Sequence, residues 1–323
     1  MSQLPLDRFL PGVSALAYGC MALGGDWDAS PVEARHVKQA HRAIDAALEA
    51  GINFFDHADI YALGKAESAF GRALKERPSL RDAIFLQSKC GIRFAEAKAP
   101  KRFDFSAEWV RASVEGSLGR LGVETLDVLQ LHRPDPLMEP EEIAEVFTAL
   151  KAEGKVRHFG VSNMQRHQLE FLQASLEAPL VANQLELGLH RLEFLEEGVL
   201  ANQPEGAASN FTPGTLEYCR RQGMQLQAWG CLSQGRFTGR SLDDQPASVR
   251  ATAALVSELA ELYRVSREAI VLAWLRRHPA NIQPVIGSSD PARIAASGEA
   301  MTIRLSREDW YRLYVSARGG ELP

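Results

Sequence analysis

Eight short apolar segments alternate with stretches of helical periodicity, and this alternation constrains the fold of the 323-residue chain more than any other feature. Apolar runs with little alternation are typical of strands buried on both faces of a parallel sheet. Strand–helix alternation predicts crossover helices, and eight βα units in about this length fit a closed (β/α)8 barrel. The segments are "SALAYG", "INFFD", "AIFLQSK", "TLDVLQLH", "VRHFGVS", "LVANQLE", "MQLQAWG" and "IQPVIGS".

The intervening stretches predict amphipathic helices that cover the barrel. In "VKQAHRAIDAALEAG", for example, Val37, Ala40 and Ile44 fall on one helical face before Gly51 ends the helix. We therefore expect one domain over 1–323, an α/β (β/α)8 TIM barrel with short extra loops and a C-terminal helix. The longest loops are expected at 198–214 and 239–251. The alternative is an open doubly wound sheet, which the absence of GxGxxG and GxxxxGK[ST] motifs disfavours.

Composition and charge exclude several classes of protein. A net charge of −5 without a basic cluster argues against nucleic acid as a partner, and no apolar run approaches 18 residues, which argues against a membrane span. Four cysteines without a CxxC pair are too few for a disulfide scaffold and do not indicate structural zinc. The first residues lack a signal-peptide pattern. We expect a reduced, soluble, cytoplasmic protein.

Seven of the eight predicted strands end in a polar or aromatic residue. In a (β/α)8 barrel the carboxyl ends of the strands form one rim, which carries the chemistry. The sequence therefore predicts an active site at this rim. The strand-end residues are Asp56, Lys89, His132, Ser162 with Asn163, Gln184, Trp229, and Ser288 with Ser289.

The motifs around these residues resemble the aldo-keto reductase superfamily along nearly the whole chain. They are "GINFFDHADIY", "LQSK", "DVLQLH", "GKVRHFGVSN" and "PVIGSSDPARI". The segments "DHADIY", "SKCGI" and "LQLHRPDPLM" resemble the YdhF-type bacterial branch in particular. The resemblance implies an NAD(P)H-dependent oxidoreductase that reduces aldehyde or ketone carbonyls to alcohols.

The resemblance also implies a catalytic tetrad of Asp56, Tyr61, Lys89 and His132. Tyr61 would be the general acid for the carbonyl oxygen, and the Lys89 cation would stabilise the phenolate. Asp56 would orient and neutralise Lys89. His132 would donate a second hydrogen bond to the carbonyl oxygen.

The resemblance places the coenzyme on a second set of residues. Ser162, Asn163 and Gln184 would hold the nicotinamide carboxamide, and Trp229 would stack on the ring. Ser288 and Arg293 would bind the 2′-phosphate of NADPH, although Gly287 stands where many NADPH-specific relatives carry lysine and Asp290 adds a negative charge. NADPH is the expected coenzyme, with NADH use left open. The residues are Ser162, Asn163, Gln184, Trp229, Gly287, Ser288 and Arg293.

Several alternatives remain open from the sequence. The first is a cofactor-sensing binding module with slow turnover, like the potassium-channel β subunits of the superfamily. Another is a barrel isomerase or hydrolase that binds phosphate through "GSS". A metal cluster at Asp56, His57 and Asp59 is disfavoured because adjacent strand residues point to opposite faces, and His57 is interpreted as a supporting residue. We expect a small carbonyl substrate in an open pocket, but the sequence identifies neither that substrate nor the oligomeric state.

Overall fold

A closed barrel of eight parallel strands forms the centre of the computed structural model, which describes residues 3–323. The barrel strands are β1 Ala17–Gly19, β2 Phe54–Asp56, β3 Phe85–Cys90, β6 Leu126–Leu131, β7 Val156–Ser162, β8 Leu180–Glu186, β9 Gln225–Trp229 and β10 Gln283–Ile286. Their spatial order is β1-β10-β9-β8-β7-β6-β3-β2, closed by pairing of β1 with β2. Each of the eight segments that the sequence predicts as a strand contributes one of these strands, so the predicted fold is confirmed.

Helices connect successive strands and pack around the barrel. The first, α1, buries Val37, Ala40 and Ile44 on the predicted stripe, and Gly51 beyond its end has a φ of +76°. The helices are α1 Ala34–Glu49, α2 Lys65–Glu76, α3 Leu80–Ala83, α4 Ala107–Leu121, α5 Pro140–Ala152, α6 Arg166–Ser175, α7 Glu193–Val199, α8 Thr215–Gln222, α9 Ala247–Tyr263, α10 Arg267–Arg277, α11 Pro291–Gly298 and α12 Arg307–Arg318.

The barrel interior contains a cluster of five buried glutamines, which we call the glutamine cluster. Their amides bond to one another: Gln227 Oε1 accepts from three of them, and Gln227 Nε2 donates to the fifth. Buried amides need such partners because an unpaired one costs free energy. The cluster lies directly below the predicted active-site rim. Its members are Gln87, Gln130, Gln184, Gln227 and Gln283.

One glycine in the barrel wall is required by close backbone packing. The register of β7 against β8 shifts between Phe159 and Val161, and Gly160 lies at this irregularity. A Cβ at Gly160 would come within 2.9 Å of the Ala182 carbonyl oxygen. The bend that carries β7 to its rim residues therefore depends on the absence of a side chain.

Two local features differ from the sequence interpretation. A hairpin of β4 (Ile92–Arg93) and β5 (Arg102–Phe103) stands between β3 and α4, although no strand is predicted there. The predicted loop 198–214 contains a short 3-10 helix, Pro204–Ala208, and α9 begins inside the predicted loop 239–251. No helix in the described residues is long and apolar enough to cross a membrane.

Candidate active site

A buried ion pair between Lys89 and Asp56 lies at the carboxyl ends of β3 and β2. Lys89 Nζ is 2.7 Å from both carboxylate oxygens of Asp56, and the two side chains are 1% and 2% exposed. The ammonium also donates to the His57 carbonyl at 2.9 Å and to the Tyr61 hydroxyl at 3.1 Å. Burial opposes the charge of Lys89, but Asp56 and Tyr61 outweigh it and raise the pKa of the amine. Lys89 is therefore a fixed cation.

Tyr61 follows β2 in a tight 3-10 turn and presents its hydroxyl to that cation. The next two residues, Ala62 and Leu63, have φ values of +48° and +58°, which turn the chain sharply after the phenol. Burial raises the pKa of Tyr61, and the adjacent Lys89 lowers it only in part. The structure thus gives a phenol that keeps its proton until a group at the rim accepts it.

His132 directly follows β6 and faces Tyr61 edge-on, with ring centroids 6.1 Å apart. Its Nδ1 is buried and has no hydrogen-bond partner within residues 3–323. Burial, together with Lys89 and Arg133, holds the pKa of His132 well below its usual range. A neutral imidazole retains one N–H and can donate it to a substrate oxygen. The structure therefore brings all four predicted tetrad residues together, while their catalytic roles stay a prediction.

Four predicted coenzyme residues form a hydrogen-bonded group on the β7–β9 side of the rim. Asn163, with a φ of +60°, donates to Ser162 Oγ and to the His132 carbonyl, and accepts from Trp229 Nε1 at 3.1 Å. Ser162 Oγ donates to the Gln184 carbonyl at 2.9 Å. The Gln184 side-chain oxygen accepts no hydrogen bond in the described part of the chain, so it is available for an amide N–H.

The predicted phosphate residues lie apart from this group, between β10 and the first turn of α11. Arg293 Nη2 donates to Thr238 at 3.3 Å, and its Nε is 3.4 Å from Glu268, which leaves further donors free. An added Cβ at Gly287 would meet no atom within 4 Å. Asp290 caps α11 by accepting from the Ala292 amide, which assigns a structural role to that carboxylate.

Two further buried polar residues, Glu67 and His57, lie close to the tetrad. Glu67 is fully buried, accepts from Ser88 at 2.6 Å and pairs with Arg120 at 2.8 Å. His57 is fully buried against Phe70, both ring nitrogens lack partners within residues 3–323, and burial lowers its pKa to about 3. A neutral, inaccessible His57 agrees with the supporting role interpreted from the sequence.

The mouth of the rim is partly aromatic. Trp27 lies in the segment after β1 and Phe94 follows the β4 strand, and their rings meet edge to face with centroids 6.4 Å apart. They are 50% and 38% exposed. Exposed aromatic rings at a pocket mouth offer contact area to a substrate. Nothing in the sequence motifs marked either residue, because their loops carry no matched pattern.

Comparison with known proteins identifies the relatives of this chain. The model of the "Aldo/keto reductase family" matches residues 15–315. The chain is 38% identical to the uncharacterized oxidoreductase YcsN of Bacillus subtilis, over 87% of this chain and 88% of YcsN. It is 36% identical to the oxidoreductase YdhF of Escherichia coli, over 92% of each chain. It is 35% identical to a 6-dehydroglucose reductase of Agrobacterium fabrum, over 96% of each chain.

Solved structures share the same fold. The glycerol dehydrogenase AKR11B4 of Gluconobacter oxydans superimposes with a TM-score of 0.79 at 26% identity, over 97% of this chain and 96% of that one. An aldo-keto reductase of Klebsiella pneumoniae, solved in complex with NADPH, gives a TM-score of 0.70 at 23% identity, over 93% and 90% of the two chains. The second likeness establishes the fold alone.

Proposed function

The chain belongs to the aldo/keto reductase family, and from this membership and the rim geometry we propose that it reduces aldehydes and ketones to alcohols with NADPH. The observation that carries the proposal is the Tyr61 hydroxyl 3.1 Å from the buried Lys89 ammonium. A proton donor held beside a fixed cation suits a reaction that leaves negative charge on oxygen.

The proton comes from Tyr61. During the reduction Tyr61 would give its phenolic proton to the carbonyl oxygen, and the Lys89 ammonium would stabilise the phenolate that remains. Asp56 holds the ammonium in place through both carboxylate oxygens. The raised pKa of Tyr61 without substrate keeps the donor protonated at neutral pH.

His132 supplies a second hydrogen bond to the same oxygen. Because its pKa lies well below the usual range, the ring is neutral at working pH and donates an N–H without a competing positive charge. Two donors directed at one oxygen orient the carbonyl and stabilise the charge that develops on it.

The rim residues fit a nicotinamide coenzyme. Gln184 and Ser162 would hold the carboxamide beside Asn163, and Trp229, fixed by its bond to Asn163, would pack against the ring. Arg293 has donors left for a phosphate, which favours NADPH over NADH. A bound NADPH would supply the hydride.

The test is oxidation of NADPH at 340 nm with a panel of aldehydes, and NADH as a parallel arm. Tyr61→Phe removes the proton donor and should lower kcat at least about 10²-fold, with coenzyme binding retained in a fluorescence titration. Tyr311→Phe, a partly exposed tyrosine of α12, is the matched control and should keep full activity. Equal rates in Tyr61→Phe and wild type would refute the proposed mechanism. Tight NADPH binding with negligible turnover in wild type would favour a cofactor-sensing module.

A further inference from the structure

Arg133 lies between two parts of the candidate site, and neither the motifs nor the comparisons assign it a role. It follows His132 directly at the carboxyl end of β6, on the same rim as Tyr61. Its guanidinium carbon lies 5.7 Å from the centroid of the Trp229 ring. The side chain therefore lies beside both the proposed carbonyl-binding histidine and the proposed nicotinamide-stacking tryptophan.

The guanidinium of Arg133 has no acidic partner. Among residues 3–323, no carboxylate lies within ion-pairing distance of it, and no hydrogen bond of its side chain to protein is present. Several other partly buried arginines are paired, for example Arg120 with Glu67 and Arg93 with Asp104. Because Arg133 lies at the rim beside Trp229 and has no counter-charge there, its donors are available to an anion that arrives with a ligand.

The nearest acidic side chain along the chain does not fill this role. Asp135 accepts hydrogen bonds from the backbone amides of Phe105 and Leu137, at 3.0 and 2.9 Å, and is thereby tied into its loop. The Lys89 charge is already balanced by Asp56, and His132 is neutral. Arg133 therefore leaves the substrate side of the rim with one uncompensated positive charge.

We propose that Arg133 binds a carboxylate on the carbonyl substrate, so that the preferred substrates are short aldehyde acids and keto acids. This inference rests on the proposed reductase function and adds a substrate class to it. A guanidinium matches a carboxylate through two parallel N–H···O bonds. Since Arg133 is adjacent in the chain to His132, a single short molecule can present its carboxylate to Arg133 and its carbonyl to His132. The Trp229 ring supports the guanidinium from its face.

The experiment compares matched pairs of substrates that differ only by the acid group. These are 4-oxobutanoate against butanal, and 4-carboxybenzaldehyde against benzaldehyde, with glyceraldehyde as a neutral hydroxylated aldehyde. Wild type should prefer each acid in kcat/KM, and Arg133→Gln should lower kcat/KM for the acids about 10- to 100-fold while neutral aldehydes change less than about threefold. Arg133→Lys keeps the positive charge but loses the paired N–H donors of the guanidinium, so its kcat/KM for the acids should lie between those of wild type and Arg133→Gln.

Arg307→Gln is the control, because Arg307 is also stacked on an aromatic ring, at 5.3 Å from Tyr311, but lies on α12. It should leave the acid preference unchanged. Thermal melts of the Arg133 variants should match wild type, since the side chain has no protein hydrogen bond to lose. Raising the ionic strength to 0.5 M should weaken the acid preference of wild type and leave Arg133→Gln unaffected.

Three results would overturn the inference. One is the same acid-to-neutral ratio in wild type and Arg133→Gln. Another is a loss of kcat/KM in Arg133→Gln that is as large for glyceraldehyde as for the acids, which would show that Arg133 binds substrate hydroxyl groups. The third is a weakened NADPH affinity with an unchanged ratio, which would assign it to the coenzyme.

A separate binding measurement tests the anion site even if the protein proves not to be a reductase. If wild type and Tyr61→Phe both fail to turn over any aldehyde, binding of unreactive butyrate is followed by tryptophan fluorescence. Butyrate binding that is lost in Arg133→Gln would support the anion site without the reductase activity. Equal binding to both proteins would reject the site as well.

Discussion

The Asp56–Lys89 pair is expected to dominate the stability of the rim, and substitutions that keep shape but remove charge test this directly. Asp56→Asn leaves the ammonium with only the His57 carbonyl and the Tyr61 hydroxyl as partners. Lys89→Met leaves the carboxylate with the Gln87 amide. In the double variant no charge remains in a site where both side chains are almost fully buried.

The magnitude follows from the burial. Breaking one half of a buried pair costs about 3–5 kcal/mol. In Asp56→Asn the burial of Lys89 is no longer outweighed by Asp56, so the pKa of the amine falls below its ordinary value. A base with a depressed folded-state pKa recovers stability as the pH rises through that pKa, because the folded form releases its proton. The cost should therefore be about 4 kcal/mol at pH 6 and smaller at pH 9.

Urea unfolding of the four proteins of this cycle, at pH 6 and pH 9, measures the effect. Wild type should show no matching change, because the raised pKa of Lys89 places its titration above this range. The double variant should be more stable than the sum of the single losses predicts, by at least about 3 kcal/mol at pH 6. Additive losses, or a cost for Asp56→Asn below about 1 kcal/mol at both pH values, would refute the assignment of the pair as a desolvated ion pair.

Two further substitutions test packing and burial near the site. Gly71→Ala in α2 puts a Cβ 2.2 Å from a backbone carbonyl oxygen of α4 and should destabilise the protein by about 1–3 kcal/mol. At Gly119 an added Cβ meets nothing within 4 Å, so Gly119→Ala should stabilise the protein by up to about 1 kcal/mol. Thermal melts in which the two variants have the same stability would contradict this. Burial and the neighbouring Glu67 raise the pKa of Asp59 to about 7, so the folded protein binds the extra proton and loses stability as the pH rises from about 4 to 7. Asp59→Asn should gain about 2 kcal/mol over wild type between pH 4.5 and pH 8, after allowance for solvent screening, and parallel pH profiles in urea unfolding would exclude this role.

The fold was accessible from the sequence because every barrel strand is a short apolar run between amphipathic helices. The β4–β5 hairpin escapes prediction for a physical reason: its strands are two residues each, in a charged segment with one proline and no alternation. Local hydrogen bonds, such as Asp104 amide to Gly91 carbonyl, hold it together rather than a buried face. Such pairing leaves no periodic signal.

Within the site, the spacing of the motifs predicts the tetrad residues, but the sequence does not show which charged side chains pair with one another. The offset of Tyr61 from Asp56 is visible in "DHADIY", whereas the unpaired state of Arg133 depends on which carboxylates fold near it. The same holds for Glu67, which in the sequence is one charged residue of a predicted helix. Its ion pair with Arg120 joins α2 to α4 across 53 residues of chain. Charges whose function depends on distant partners become interpretable only in three dimensions.

The glutamine cluster has a signal in the sequence, and it connects the barrel interior to the charged pair at the barrel mouth. A glutamine interrupts five of the eight apolar runs, each at an inward position. Gln87 Nε2 donates both to Asp56 and to Gln227 Oε1, so the amide network ends on the carboxylate that fixes Lys89. Asp56 therefore accepts one hydrogen bond from inside the barrel, from the Gln87 amide, in addition to the two from Lys89. The amide network thus helps to hold the carboxylate that positions Lys89 beside Tyr61.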